Sequence, residues 1–105
     1  MSDLRRYEIL VPLLFNDGSP VPEALLVQTF HDLRTQFGTA SWETQTLRGA
    51  WEQEGVVYHD NLARFFVDVP DLPAHRDFFR AFKTQLKSRF QQLDIWITSH
   101  PIDVI

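Results

Sequence analysis

Leu62-Ala63-Arg64-Phe65-Phe66-Val67-Asp68-Val69 carries the pattern that decides the fold. Ala63, Phe65, Val67 and Val69 are all apolar, whereas Leu62, Arg64, Phe66 and Asp68 mix apolar and charged side chains. Successive side chains of an extended chain point to opposite faces, so a period of two is read as a strand. One face suits a core. The other is not purely polar either, which marks a strand near the centre of a sheet.

A second stretch has the same character. From Arg6 to Phe15 the odd positions are Tyr7, Ile9, Val11, Leu13 and Phe15, and the even positions include Leu10, Pro12 and Leu14. This too reads as a central strand. Proline lacks the ladder donor, so a bulge or an unpaired position is expected at Pro12.

Outward from these two strands the chain supplies turns and helices. Asn16-Asp17-Gly18-Ser19 is a turn. Pro22 and Glu23 suit a helix start, and Leu26, Phe30, Leu33 and Phe37 recur at the helical period before Gly38. A helix is predicted from Pro22 to Phe37. Ser41 to Trp51 reads as a strand containing Gly49, and Gln53-Glu54-Gly55 turns into Val56-Val57-Tyr58, a small hairpin. After Pro70, a second helix runs from about His75 to Gln91, with Asp71 as its expected N-cap. Its stripe is Phe78 or Phe79, Phe82, Leu86 and Phe90, joined by Leu93. Arg76, Arg80, Lys83, Lys87 and Arg89 fall largely off that stripe and read as a solvated face. Asp94 to Ser99 closes the pattern as a strand, with Ile95 and Ile97 opposite Trp96.

The order is strand, helix, strand, hairpin, strand, helix, strand. Two right-handed crossovers sharing one sheet give an α+β, ferredoxin-like split βαβ sandwich over residues 1–105. Its four antiparallel strands take the order 4-1-3-2, with two helices on one face. The two central strands of that order are the two most apolar strands of this chain, so local pattern and topology agree.

Composition narrows the function. Apolar residues make up 44% of the 105, too many for a disordered chain. The longest apolar run, Ile9 to Phe15, falls well short of the about 18 residues of a membrane span. No secretory leader is recognised, and a soluble, cytoplasmic protein is expected. Cysteine is absent, which excludes disulfides and thiolate chemistry. A net charge of -4 without a concentrated basic stripe argues against nucleic acid as partner. The segment from Leu62 also lacks the basic-glycine-aromatic pattern of an RNA-recognition module.

Two helices cover only one side of a sheet, yet the other side carries Leu10, Pro12, Leu14, Phe66 and Trp96, with Trp42 or Trp51. Such a face must meet something. A second copy of the chain is the expected partner, because a two-fold axis lets one patch bury itself. The alternative is cover by the Ser99–Ile105 tail and the Gly49–Asn61 segment.

Chemistry-bearing residues are sparse. Tyr58-His59-Asp60 offers a phenol, an imidazole and a carboxylate, of which His59 suits proton transfer. Arg64 or Arg48 would suit an anionic group at the rim of an apolar cleft. Glu8–Arg64 and Arg6–Asp68 are expected to pair across neighbouring strands. His31, His59, His75 and His100 have no ligand spacing, so no metal is expected. No glycine belongs to a phosphate- or dinucleotide-binding motif, so no cofactor is expected.

Gly49-Ala50-Trp51, followed by Gly55-Val56-Val57-Tyr58 and Asp60, resembles a pattern in small uncharacterised bacterial proteins. The resemblance covers only the middle of the chain. It implies a ferredoxin-like domain and brings no activity with it. The uncovered sheet face adds a resemblance to dimeric α/β-barrel domains. Two functions therefore stand side by side. One is a homodimeric domain that binds a small apolar or anionic ligand, or a protein. The other is a small cofactor-independent enzyme using His59 or Arg64.

Overall fold

The computed structural model describes residues 3–46, 51–53, 56–58 and 61–105. The elements are β1 (Leu4–Pro12), α1 (Glu23–Phe37), β2 (Ser41–Thr46), β3 (Trp51–Gln53), β4 (Val56–Tyr58), β5 (Asn61–Pro70), α2 (Pro73–Arg89) and β6 (Trp96–Ile102). Four strands form one antiparallel sheet in the order β2-β5-β1-β6, and β3 pairs with β4 as a separate hairpin. The fold is the ferredoxin-like α+β sandwich predicted, with β5 and β1 at its centre.

The inner face of the sheet follows the period of two. Tyr7, Ile9 and Val11 of β1 stand opposite Val67, Phe65 and Ala63 of β5, and all six are buried. Both helices pack here: α2 stacks Phe79 on Tyr7 at 4.2 Å, and α1 sets Phe30 against Trp42. Leu26 and Leu33 of α1 and Phe82 and Leu86 of α2 complete the core, with Phe90 just beyond the helix end.

The ends of α1 form as expected. Gly18 at φ 86° turns the chain, with Asp17 Oδ1 accepting from the Ser19 backbone at 2.8 Å. Gly38 at φ 79° ends α1 in the left-handed region, where a Cβ is costly.

Several expectations need correction. β1 stops at Pro12, so Leu14 lies past the strand, bridged to Pro20 and half-exposed rather than on the outer sheet face. The ladder bulge expected at Pro12 is replaced by regular pairing with Leu62, and the next donor, Leu13, reaches Asn61 O at 3.2 Å. Alternation then turns the Pro12 nitrogen away from β5, on the side where β6 pairing has already ended at Leu10. Trp42 stands opposite Phe65 and stacks on it at 5.6 Å, so it belongs to the inner face. Asp71 does not cap α2; its carboxylate meets Arg5 at 3.2 Å instead, while His75 Nδ1 contacts Pro70 O at 2.8 Å. Leu93 leaves the stripe because α2 has ended, and it is 92% exposed. The tail does not fold over the sheet: through Ile102 it continues β6, pairing with Leu4–Tyr7.

Candidate functional site

The outer face is the side the helices leave open, and register builds a site on it. Arg6 stands opposite Asp68, Glu8 opposite Phe66, and Leu10 opposite Arg64. From β2, Glu43 stands opposite Arg64 on the other flank. From β6, Trp96, Thr98 and His100 stand opposite Leu10, Glu8 and Arg6.

The charged groups pair as the strand order requires. Arg6 Nε donates to Asp68 Oδ1 at 2.7 Å and Arg6 Nη2 to Asp68 Oδ2 at 2.9 Å, a two-point fork. Arg64 Nη2 donates to Glu8 Oε1, and Arg64 Nη1 donates to Glu43 Oε1 at 2.8 Å. Arg64 thus straps three strands together with a side chain only 15% exposed. Both guanidinium groups also lie over the Phe66 ring, Arg64 at 4.1 Å and Arg6 at 4.6 Å from its centre. Such contacts add about 0.5–1 kcal/mol each at exposed sites.

The electrostatics follow. Hydrogen bonds from Arg6 hold the Asp68 carboxyl below the usual carboxylate range, outweighing the cost of partial burial. Arg64 has both terminal nitrogens engaged by carboxylates, so an anionic ligand there must displace Glu8 or Glu43. Trp96 lies beside this lattice and is 64% exposed. The surface is therefore an arginine–carboxylate lattice around one phenylalanine, with an aromatic rim.

Of the residues singled out from sequence, Leu10, Arg64, Phe66 and Trp96 come together on this face. Leu14 does not. Trp51 and Tyr58 are register partners in the β3–β4 hairpin. Arg48, Gly49, His59 and Asp60 lie outside the described residues. Among the other histidines, His31 lines a groove of about 450 Å³ between the two helices, and His75 meets the Phe37 ring edge-on at 5.3 Å.

Sequence reasoning missed an internal clasp. Thr29 is fully buried on α1; its hydroxyl donates to Leu25 O at 2.9 Å and accepts from Arg89 Nη1 at 2.9 Å. Arg89 Nη2 then donates to Asp32 Oδ2 at 2.8 Å, tying α2 to α1. The signal available was the position of Thr29 between Leu26 and Leu33, on the apolar side of its helix.

No protein-family model and no curated protein matches this chain. In structure it is similar to a phage SAM lyase in complex with S-methyl-5'-thioadenosine, with a TM-score of 0.68 at 16% identity, covering 96% of this chain and 83% of that one. A phage SAM lyase in the apo state matches with a TM-score of 0.63 at 19% identity, covering 92% of this chain and 79% of that one. At such identities the likeness is one of fold. Among the described residues no helix is long and apolar enough to cross a membrane.

Proposed function

We propose that residues 1–105 act as one soluble, cytoplasmic domain that binds a small ligand and self-associates through the outer face of its sheet, as a homodimer in the simplest case. The observation that carries this reading is the lattice of Arg6, Glu8, Arg64 and Asp68 around Phe66, on a face without helices and beside the exposed Trp96. Acids and bases alternate there, so a two-fold axis can set each sign against its opposite while Leu10 and Trp96 lose water. A small ligand would then sit where this face meets its cover, because binding sites are concave spaces lined mostly by apolar groups with a few polar ones.

A second reading is favoured by the likeness of fold to the phage SAM lyase bound to S-methyl-5'-thioadenosine. It makes this chain a small enzyme acting without a cofactor, with His59 or Arg64 beside an apolar pocket. Fold likeness alone does not transfer chemistry, so this reading rests on activity.

Sedimentation equilibrium over a dilution series tests self-association. A mass of twice 12.3 kDa is expected, falling to 12.3 kDa for Trp96→Glu. A native mass of 12.3 kDa at every concentration would overturn it. Calorimetric titration with S-methyl-5'-thioadenosine tests the ligand class, and saturable heat that Arg64→Ala weakens at least tenfold is the expected result. Incubation with SAM followed by chromatography separates the two readings: turnover lost in His59→Ala or Arg64→Ala establishes the enzyme, and binding without turnover establishes the binding domain.

A further inference from the structure

A separate site lies at the free edge of β6, where α2 leaves a cavity of about 200 Å³. Arg76, Arg80 and Lys83 border it from the helix. Their spacing of four and three residues puts all three on one helical face. Among the described residues no carboxylate lines this cavity, in a chain whose net charge is -4. Like charges gathered in a cleft raise the local concentration of anions.

The carboxylates that do meet these cations stand outside the cavity. Lys83 lies 2.8 Å from Asp94 and Arg80 lies 3.6 Å from Asp77, and both carboxylates are exposed. Exposed pairs of this sort are weak and exchange readily with other anions. Arg76 has no carboxylate partner among the described residues.

The sheet side of the cavity supplies neutral donors. Ser99 Oγ accepts from Arg5 Nη1 at 3.1 Å, which leaves its own proton to donate. Tyr7, also in the cavity wall, is 3% exposed, and its hydroxyl is buried without a hydrogen-bond partner among the described residues. A buried hydroxyl left unpaired is costly, and an acceptor placed in the cavity removes that cost. As an edge strand, β6 also turns alternate backbone N–H groups away from the sheet.

We propose that this cleft binds a phosphate group, held by Arg76, Arg80 and Lys83 and hydrogen-bonded by Tyr7 and Ser99. The volume suits a small oxyanion and is too small to enclose a nucleoside. The group is either free phosphate or the head of a phosphomonoester whose remainder lies in solvent. This site is independent of the outer sheet face and of self-association there.

The test is an amide-shift titration of the ¹⁵N-labelled chain with inorganic phosphate, and separately with glycerol 3-phosphate, at constant ionic strength in chloride. Saturable shifts are expected over Arg76–Lys83 and Ile97–Ser99, with glycerol 3-phosphate tighter if the natural ligand is a phosphomonoester and equal if it is free phosphate. The exposed double variant Arg76→Gln/Arg80→Gln should weaken binding at least tenfold. Tyr7→Phe keeps the ring on Phe79 and should weaken it several-fold while leaving the fold intact. Shifts that do not saturate, that chloride reproduces, or that the double variant leaves unchanged would overturn the proposal.

Discussion

Phe65 and Phe66 are neighbours on β5 and live in different surroundings. Phe65 points inward, is fully buried and stacks with Trp42. Phe66 points outward, half-buried, under the guanidinium groups of Arg6 and Arg64. The same contrast runs along β1, where Tyr7, Ile9 and Val11 are buried while Arg6 and Glu8 take partners across the outer face. An apolar residue is thus used in two ways: as part of a dry core beneath the helices, or as a platform for charge where no helix covers it. The inner side carries most of the stability, and the outer side presents paired charges and aromatic surface where no helix covers it.

That contrast is open to direct attack, and the two phenylalanines offer the strongest test. Phe65→Ala should destabilise the fold by about 3–5 kcal/mol through loss of buried area and an unfilled cavity. Phe66→Ala should cost only about 1–2 kcal/mol, the value of its partial burial and two cation contacts. Urea unfolding of both variants decides the matter, and equal losses would erase the distinction between the faces. Next comes Arg64→Ala, which leaves Glu8 and Glu43 facing each other without their shared cation. A loss of about 1–2 kcal/mol is expected, measured in the same way and diminishing with added salt.

The inner side has its own polar exception. Thr29→Val removes the hydroxyl that receives Arg89, and about 1 kcal/mol should go with it. A variant as stable as the parent would show that the clasp does not hold the two helices together.

The mildest consequence is in pH. Asp68 has a carboxyl held below the usual range by hydrogen bonds from Arg6, so the unfolded chain binds its proton first. The associated stability is present above about pH 4, the ordinary aspartate range, and fades as pH falls through the lower native value. Asp68→Asn should therefore lower stability at neutral pH by less than about 1 kcal/mol and flatten the acid limb of a melting-temperature profile. An unchanged acid limb would remove Asp68 from the acid response.

Much of this contrast is legible in the sequence, and particular residues show why. Arg6–Asp68 and Glu8–Arg64 follow from two things the sequence displays, the alternation of β1 and β5 and the strand order that makes them neighbours. Trp42 cannot be assigned a face in the same way, because Ser41–Thr46 lacks a clear apolar alternation and its phase depends on pairing with β5. The basic residues of α2 read as a solvated face because helical spacing says nothing about what stands opposite. Tyr7 reads as ordinary core, and only the packed structure shows that its hydroxyl has no partner among the described residues.

Periodicity and chain order, which are local and additive, settled the elements, the topology and the division of each central strand into two faces. Pairing across distance settled the rest: that Arg64 meets two carboxylates at once, that Asp71 goes to Arg5 instead of capping α2, and that the tail completes β6. These outcomes depend on which groups compete for one partner at one place. A carboxylate in a sequence has many possible cations, and only packing brings one of them within about 3 Å.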